Sequence, residues 1–444
     1  MAVNMENLTA RAEKFAIYTP SVQPQSAARA TKSKIMRGGV LPKNIQPVDF
    51  DFLNPTNNFW HYKWILATAG SFRNERKPNM ITNRHPKSFV LGDSGGFQVG
   101  EGTLPEIKGW KKYQNDPTTL MSMWENDNAK QTILNWLELN CDYAMTLDMP
   151  LWTVDKPNSP FSKLSINQLT ELSVKNLQFF DSKRGKYGDC KFLNVLQGTS
   201  EAEEQFWYDA VKGFKFEGWS LAGNVGQQGG IYRVLRRILL LREDKLLDSG
   251  YDWLHILRLS RVRWSPLITA IQNSIRKSNP KFTISFDSSS PYQTGGIANK
   301  YAVLRSFGSN LKRDWNIGAE KVPAGFGFAN IRNKVNLGKV SKLLPIPFIS
   351  PIASQLSIQD LNFKKGTMDI KNTDDFGDEV ITNHNVYIYC LANILANEAV
   401  FTKKPTAPNE MLEAVGVIEE LFRVENWTDY LNKNSDILKH VANG

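Results

Sequence analysis

The sequence predicts a (β/α)8 TIM barrel, an α/β fold, followed by a small C-terminal appendage. Short β-type runs alternate with amphipathic helical segments between about residue 88 and residue 286, which is the pattern of repeated strand and helix units around a parallel sheet. Polar side chains stand at the ends of many of these runs. A barrel collects such side chains on its carboxyl-terminal face, whereas an open doubly wound sheet would concentrate them at one switch point.

Six strands and four helices can be placed in this part of the chain. Ser165 and Ser200 are each followed three residues later by Gln or Glu, which is typical of a capping box that opens a helix. Residues 231–241 are amphipathic, and Ser265 followed by Pro266 predicts an N-cap and an N1 proline before a further helix. The strands are expected at residues 88–92, 143–147, 192–197, 218–223, 253–259 and 282–286.

A change of pattern divides the chain into two predicted regions. Residues 1–340 are expected to form the barrel, and residues 341–444 a mixed and then helical subdomain that packs on it. Residues 411–422 carry apolar side chains at helical spacing, which predicts an amphipathic helix near the C-terminus.

Length and composition are those of an ordinary soluble globular protein. The chain has 444 residues, of which 41% are hydrophobic and 22% charged. No apolar stretch approaches the roughly 20 residues that cross a bilayer, and residues 1–20 contain no continuous apolar segment of a signal peptide. We therefore expect no membrane association and a cytoplasmic location. The three cysteines, Cys141, Cys190 and Cys390, are too far apart for a disulfide framework or a CxxC metal site.

The chain is strongly basic, with a formal net charge of +10. This charge favours polyanionic partners, since cationic side chains that neutralise phosphates release counterions. Each basic cluster is a candidate for phosphate contacts, although each could equally be a solvated face. The candidate clusters are residues 29–37, the trio Arg258, Arg261 and Arg263, and the pair Lys312 and Arg313.

The ends of three predicted strands carry aspartates. Asp93 opens the segment DSGGFQ at residues 93–98, so a strand delivers a carboxylate directly into a Gly-Gly turn where backbone can approach a ligand closely. Asp148 and Asp287 follow two other strands. Several carboxylates at one barrel face suit chemistry at an anomeric carbon, because one can capture the sugar covalently while another moves a proton on the departing group. Considered singly, each aspartate could instead be a polar cap that closes a strand.

A guanine-like base would impose a second requirement on this face. Its N1–H and 2-amino groups are adjacent donors that one carboxylate can accept together, while its O6 needs a donor. Asp148, the amide of Gln197 and the backbone of Gly223 would meet this requirement.

These residues resemble the tRNA-guanine transglycosylases, which exchange a guanine in a polynucleotide for a 7-deazaguanine. Residues 93–98 reproduce the most specific motif of that family, and residues 141–148 resemble its strand that ends in the base-binding aspartate. Residues 194–198 are similar to its V-Q-G segment, residues 218–223 to G-Y-A-I-G-G, and residues 286–291 to the F-D-C-x-x-P that carries the nucleophile. All five segments occur in the family order, and residues 383–385 extend the resemblance toward the C-terminus.

The resemblance implies a role for each matching residue. Asp287 would be the nucleophile on C1′ and Asp93 the general acid/base. Asp148, Gln197 and Gly223 would hold the base, with Ser94 near it. Among the basic clusters, Arg258, Arg261 and Arg263 are the residues that we expect to contact nucleic acid.

The sequence departs from the family at its zinc site. Members of the family bind zinc through C-x-C-x-x-C and a downstream histidine, whereas this chain has Phe348, Ser350 and Ala353 at the cysteine positions. His384 corresponds to the histidine, but one imidazole without sulfur ligands cannot form a tetrahedral site. We therefore expect no metal and no other cofactor, apolar packing in place of the zinc, and a packed or hydrogen-bonding His384.

Two further departures concern the substrate. Tyr292 and Gln293 occupy the positions where the tRNA enzymes place a Thr-Arg that reads the anticodon loop, and Gln227 or Gln228 replaces a glutamate of the base-binding loop. The chain looks closest to the DpdA branch of bacteria and phages, which inserts 7-deazaguanines into DNA. The expected partners are DNA and a free 7-deazaguanine such as preQ0, in the host cytoplasm if the protein is phage-encoded, with a homodimer or an accessory protein possible.

Three alternatives remain open from the sequence. The same exchange could act on tRNA. The chain could be a non-catalytic, nucleic-acid-binding partner subunit, against which the presence of both Asp93 and Asp287 argues. A glycosidase is also conceivable, but it would leave the guanine-reading residues without a role.

Overall fold

The structure is a computed structural model. It describes residues 6–31, 41, 44–75, 77–223, 230–297, 300–321, 346, 348–356 and 375–443.

Eight parallel strands form the sheet at the centre of the molecule. The strands are β1 Ile17–Pro20, β2 Trp64–Thr68, β3 Phe89–Asp93, β4 Tyr143–Met145, β5 Lys191–Leu196, β6 Gly218–Leu221, β7 Trp253–Ile256 and β8 Thr283–Ser288. Going round the sheet, the order is β1, β8, β7, β6, β5, β4, β3, β2. Ser21 forms a parallel bridge with Leu66, and Val22 N donates to Leu66 O at 2.9 Å, so that the two outermost strands also meet. The predicted (β/α)8 barrel is confirmed.

Helices follow the first seven strands. The helices are α1 Pro24–Arg29, α2 Ala69–Phe72, α3 Gly96–Gly100, α4 Pro117–Asn126, α5 Ala129–Asn140, α6 Ile166–Lys183, α7 Glu201–Val211, α8 Gly230–Glu243 and α9 Trp264–Ile275. Helix α6 begins where the sequence predicts, because Ser165 and Gln168 form a reciprocal capping box. At α7 the Ser200 hydroxyl accepts from Glu203 N, but the Glu203 carboxylate accepts from Thr199 N, so the box is not reciprocal.

Several sequence-based element predictions need correction. Helix α9 begins at Trp264, so Ser265 lies in its first turn and is not the N-cap; its hydroxyl donates instead to Asn393 O at 3.2 Å. Strands β4, β6 and β7 end at Met145, Leu221 and Ile256, which is two, two and three residues earlier than predicted. The sequence also failed to reveal strands β1 and β2.

The described part of the region after the barrel contains a hairpin, a one-turn helix at Leu311–Asp314 and four longer helices. Strands β9 Lys300–Leu304 and β10 Ile317–Lys321 pair in antiparallel fashion. The longer helices are α10 Asp375–Phe401, α11 Asn409–Leu421, α12 Trp427–Lys433 and α13 Ser435–Asn443. Helix α10 packs against β1, α9 and β9, while α11 packs on α9 and α13 on α8. The predicted helix at 411–422 is confirmed as α11, and the boundary placed at residue 340 lies outside the described residues.

Aromatic rings fill the amino-terminal end of the barrel. Phe89 stacks on Trp253 with ring centroids 4.7 Å apart, and Tyr143 lies 5.0 Å from Trp253. These residues begin β3, β7 and β4. Because this end is filled, a ligand can approach the barrel interior only from the carboxyl-terminal end. Among the described helices, none is long and apolar enough to cross a membrane.

Candidate active site

A cavity of about 400 Å³ opens at the carboxyl-terminal ends of β3 to β7. Its walls include six of the nine residues that the sequence singled out for the site: Asp93, Asp148, Gln197, Gly223, Arg258 and Arg261. Ser94, Asp287 and Arg263 do not line it. Residues that lie up to 168 positions apart in the chain therefore meet at one place on the barrel face, as expected for strand ends of a parallel barrel.

Strand β3 and the turn after it fix Asp93. Thr68 is the register partner of Asp93 on β2, and its hydroxyl donates to Asp93 Oδ2 at 3.0 Å. The backbone N–H of Gly95 donates to Oδ1 at 3.2 Å. Gly95 has φ +97°, and a Cβ there would lie 2.9 Å from Gly70 Cα, so the turn requires glycine. Burial raises the pKa of Asp93, and the negative charge of Asp287 raises it further.

Asp148, which is partly exposed at the cavity, and the buried Gln197 form a polar pair. Gln197 Nε2 donates to Asp148 Oδ2 and, at 3.2 Å, to Met149 O, while Gln197 Oε1 accepts from Leu151 N at 3.0 Å. The amide is thus held at both of its ends. Burial, with a contribution from the Asp93 charge, raises the pKa of Asp148 to about 7. A Cβ on Gly96 would lie 3.0 Å from Asp148 Oδ1, so the Gly-Gly turn also makes room for this carboxylate.

Asp287 at the end of β8 lies beside the cavity and is only 5% exposed. Its Oδ1 accepts from Arg258 N at 2.8 Å. Arg258 has φ +63°, an unusual left-handed conformation for a residue with a side chain. This strained turn brings one backbone N–H to the carboxylate and leaves the Arg258 guanidinium at the cavity wall.

Two side chains of the site were missed by the sequence interpretation. Phe97 is 45% exposed at the cavity, with its ring 5.7 Å from that of Trp152 and 4.9 Å from the Arg258 guanidinium. An exposed ring held in this way can stack on a base. His255 is fully buried, and its Nε2 lies 3.4 Å from Asp287 Oδ1. Phe97 could have been noticed within its motif, whereas His255 lies inside a strand and gives no local signal.

The structure places the other predicted residues differently. Ser94 is buried, and its hydroxyl donates to Thr146 O at 3.1 Å. Arg263 is also buried and donates to Trp315 O at 3.1 Å, so it holds the segment before β10 and does not belong to an exposed nucleic-acid surface. Arg261 is exposed and reaches Asn443 Oδ1 at 2.8 Å. Gln227, Gln228 and Arg37, which the sequence also singled out, lie outside the described residues.

The segment 348–353, which the motif resemblance places at a zinc-binding position, packs on His384 through Phe348. The ring of Phe348 lies 4.6 Å from the imidazole, and Tyr301 lies 6.3 Å away. His384 Nε2 is 2.8 Å from Ala302 O, and burial lowers the histidine pKa to about 4. The expectation that His384 packs and hydrogen-bonds is confirmed. This donor set does not fit a zinc ion, because a single imidazole is surrounded by apolar rings.

No protein-family model matches the chain, and no curated protein matches it significantly.

Proposed function

We propose that the protein is a DNA-guanine transglycosylase, which exchanges guanine in DNA for a free 7-deazaguanine through a covalent aspartyl intermediate. The observation that carries the proposal is the arrangement of four polar groups at one barrel face. Asp93, Asp148 and Gln197 line the cavity, and Asp287 lies close enough that its charge raises the pKa of Asp93. A cavity of about 400 Å³ is large enough for a purine base.

The proposed reaction is a double displacement. A carboxylate oxygen of Asp287 attacks C1′ as the bond from C1′ to the guanine nitrogen breaks, and Asp93 gives its proton to the departing base. The raised pKa of Asp93 favours the protonated form that this step needs. Asp93, now ionised, then takes a proton from the incoming base, whose nitrogen attacks C1′ and releases Asp287.

The Asp148 and Gln197 pair supports a guanine-type base. A carboxylate accepts the adjacent N1–H and 2-amino donors together. Gln197 donates its amide N–H to Asp148 Oδ2, which restrains the carboxylate at the cavity wall. The exposed ring of Phe97 offers a face on which the base can stack.

DNA is proposed as the polymer because Tyr292 and Gln293 replace the arginine-bearing segment of the tRNA enzymes and because the zinc site is replaced by packing. A guanine inside a duplex cannot reach a cavity at a strand end, so the target is flipped out or single-stranded, at a cost of roughly a few kcal/mol. The net charge of +10, with Arg258 and Arg261 at the cavity, suits the phosphate backbone.

Incorporation of labelled guanine tests the proposal. Single-stranded DNA, duplex DNA and tRNA are incubated in parallel with the purified chain, and the label in each polymer is counted. We expect incorporation into DNA. Label in tRNA alone would favour the tRNA enzyme, and no label in any polymer would contradict catalysis by this chain and favour the partner subunit. Asp287→Asn serves as the inactive control.

A further inference from the structure

A buried arginine on α8 contacts both loops that carry the proposed base-binding groups. Arg237 Nη1 donates to Ala222 O at 2.7 Å, and Nη2 donates to Gly198 O at 2.8 Å. Ala222 immediately precedes Gly223, and Gly198 immediately follows Gln197. Arg237 is only 5% exposed and does not line the cavity, so it acts on the loops from behind.

Glu204 on α7 supplies the counter-charge. Its Oε1 accepts from Arg237 Nη2 at 2.8 Å, and the glutamate is only 3% exposed. Arg233 joins the same cluster, with Nη2 donating to Gly198 O at 2.9 Å. A buried ion pair of this kind gains little stability over apolar packing, because desolvation offsets the attraction between the charges. The ion pair instead fixes positions, because Arg237 holds the backbone oxygens of Ala222 and Gly198 in place.

The Ala222 contact determines where the next N–H points. The C=O of Ala222 and the N–H of Gly223 belong to one planar trans peptide, in which the two groups point in opposite directions. Arg237 draws the oxygen away from the cavity, so the Gly223 N–H is turned toward it. Within the described part of the chain, no acceptor is hydrogen-bonded to this N–H.

The two loops also touch each other without an intervening side chain. Gly223 has φ +93°, and a Cβ there would lie 3.2 Å from Gly198 O, the same oxygen that Arg237 holds. Gly198 has φ +129°, and a Cβ there would lie 2.6 Å from Glu204 N. The guanidinium therefore fixes a compact unit of two glycine turns, which only glycine can build without strain.

We propose that Arg237 is a positioning residue that aims the Gly223 N–H at the oxygen on C6 of a guanine-type base. This inference depends on the proposed function, because it assigns a donor to one atom of the proposed substrate. It predicts that Arg237 determines selectivity for bases with an oxygen at C6 while having no contact with the base itself.

Binding of two free bases to Arg237→Met tests the inference. Guanine has the C6 oxygen, whereas 6-thioguanine keeps the N1–H and 2-amino donors that face Asp148 but has sulfur, a weak acceptor, at C6. We expect the guanine Kd to rise roughly tenfold, the loss of one hydrogen bond, and the 6-thioguanine Kd, read from its absorbance, to stay within about twofold. In the exchange assay the KM for guanine should rise by a similar factor with kcat nearly unchanged.

Arg242→Met is the matched control. Arg242 lies on the same helix and donates to Leu421 O at 3.1 Å, but it does not line the cavity. Neither Kd should change in this variant. Arg237→Lys, which keeps the charge but lacks the planar fork that reaches two carbonyls, provides a second variant should Arg237→Met fold poorly; it should also lose affinity for guanine alone.

The outcomes separate the inference from the function on which it rests. An equal loss of both bases in the Arg237 variants, or an unchanged ratio of the two Kd values, would overturn the positioning role while exchange by the wild type still stands. A wild-type protein that binds neither base and exchanges none would overturn the proposed function and this inference together.

Discussion

His255 Nε2 lies 3.4 Å from Asp287 Oδ1, in the barrel interior beneath the carboxylate. The other ring nitrogen, Nδ1, is 2.8 Å from Ser285 Oγ, which in turn accepts from Trp253 Nε1 at 2.7 Å. In the arrangement that satisfies these contacts, Trp253 donates to Ser285 and Ser285 donates to Nδ1, so that Nε2 carries an N–H. A chain of three buried side chains thus presents an N–H to the proposed nucleophile.

Replacing His255 with Phe should reduce kcat while leaving the KM for the free base nearly unchanged. The ring volume is kept, but Ser285 loses its acceptor and Asp287 loses the neighbouring N–H, a loss of roughly 1 to 3 kcal/mol, or about fivefold to 150-fold in rate. Steady-state exchange kinetics measure both parameters. His85→Phe, at a partly exposed position before β3, is the control, and a His255 variant with unchanged kcat would exclude the positioning role.

Asp287→Asn and Asp93→Asn should each reduce exchange on the order of a thousandfold or more, because one removes the nucleophile and the other the proton donor. Both changes preserve side-chain shape, so the thermal unfolding curve should show a folded protein. Label incorporation into DNA is the measurement. Asp181→Asn changes an aspartate on α6 whose side chain is 54% exposed and should leave the rate unchanged. Activity of Asp287→Asn within about tenfold of wild type would contradict the covalent route.

The barrel was predictable from the sequence because six of its strands are compact apolar runs, and five of the predicted runs end at or are followed by a polar residue. Strands β1 and β2 were not, since Ile17–Pro20 is four residues long and ends in proline, and β2 lies in a region with short apolar runs. Their assignment as strands depends on pairing with partners far away in the chain, such as Ser285 with Ile17. Non-local pairing of this kind leaves no periodic signal in the sequence.

The residues of the site also differ in whether the sequence alone could reveal them. Asp93, Asp148 and Gln197 could be found because each stands at the end of its own strand, within a motif that is contiguous in the sequence. His255 and Arg237 could not, since each acts through a residue from another element, Asp287 in one case and Ala222 in the other. Arg263 was placed wrongly at the nucleic-acid surface, because its spacing from Arg261 does not show that its side chain turns inward to Trp315 O.

Binding of guanine should weaken as the pH falls below about 7. The pKa of Asp148 is raised to about 7 by burial, and only the ionised carboxylate accepts both N1–H and the 2-amino group. The guanine Kd should therefore rise, approaching tenfold per pH unit below that value. Isothermal titration calorimetry between pH 5.5 and 8.5 measures this dependence. Asp148→Asn should bind guanine weakly at every pH.

Asp148→Asn should be more stable than the wild type above pH 7. An aspartate with an ordinary pKa of 3.8 in the unfolded chain and about 7 in the fold loses stability as the pH rises between these values, because the fold disfavours the charged form. Asparagine has no charge to bury. We expect Asp148→Asn to gain roughly 1 to 3 kcal/mol in the free energy of unfolding at pH 8 and little at pH 4. A variant that is less stable than the wild type at pH 8 would show that Asp148 is held by favourable charge interactions instead.

Metal analysis of the purified protein should find no stoichiometric zinc, and chelators should leave its unfolding temperature unchanged. The residues at the family cysteine positions, Phe348, Ser350 and Ala353, offer no thiolate, and the part of the chain that the structure describes holds no group of three or more metal-ligating side chains. One zinc per chain would refute the packing interpretation of this segment.

The protein should lose stability between pH 6.5 and pH 4 through His384. Burial lowers the pKa of His384 from 6.5 to about 4, so the unfolded chain takes up a proton in this interval that the folded chain does not. The sign follows from linkage: stability falls as the pH decreases, and this residue accounts for about 2 kcal/mol between pH 7 and pH 5. Urea unfolding at both pH values measures the change.

His384→Gln should be less stable than the wild type at pH 7, because it loses the contact with Phe348, but it should lose about 2 kcal/mol less on going to pH 5. His440→Gln, whose imidazole is 56% exposed, is the control and should keep the wild-type pH dependence. An identical pH dependence in His384→Gln and the wild type would mean that His384 can be protonated inside the fold, and that the rings of Phe348 and Tyr301 do not exclude water from it.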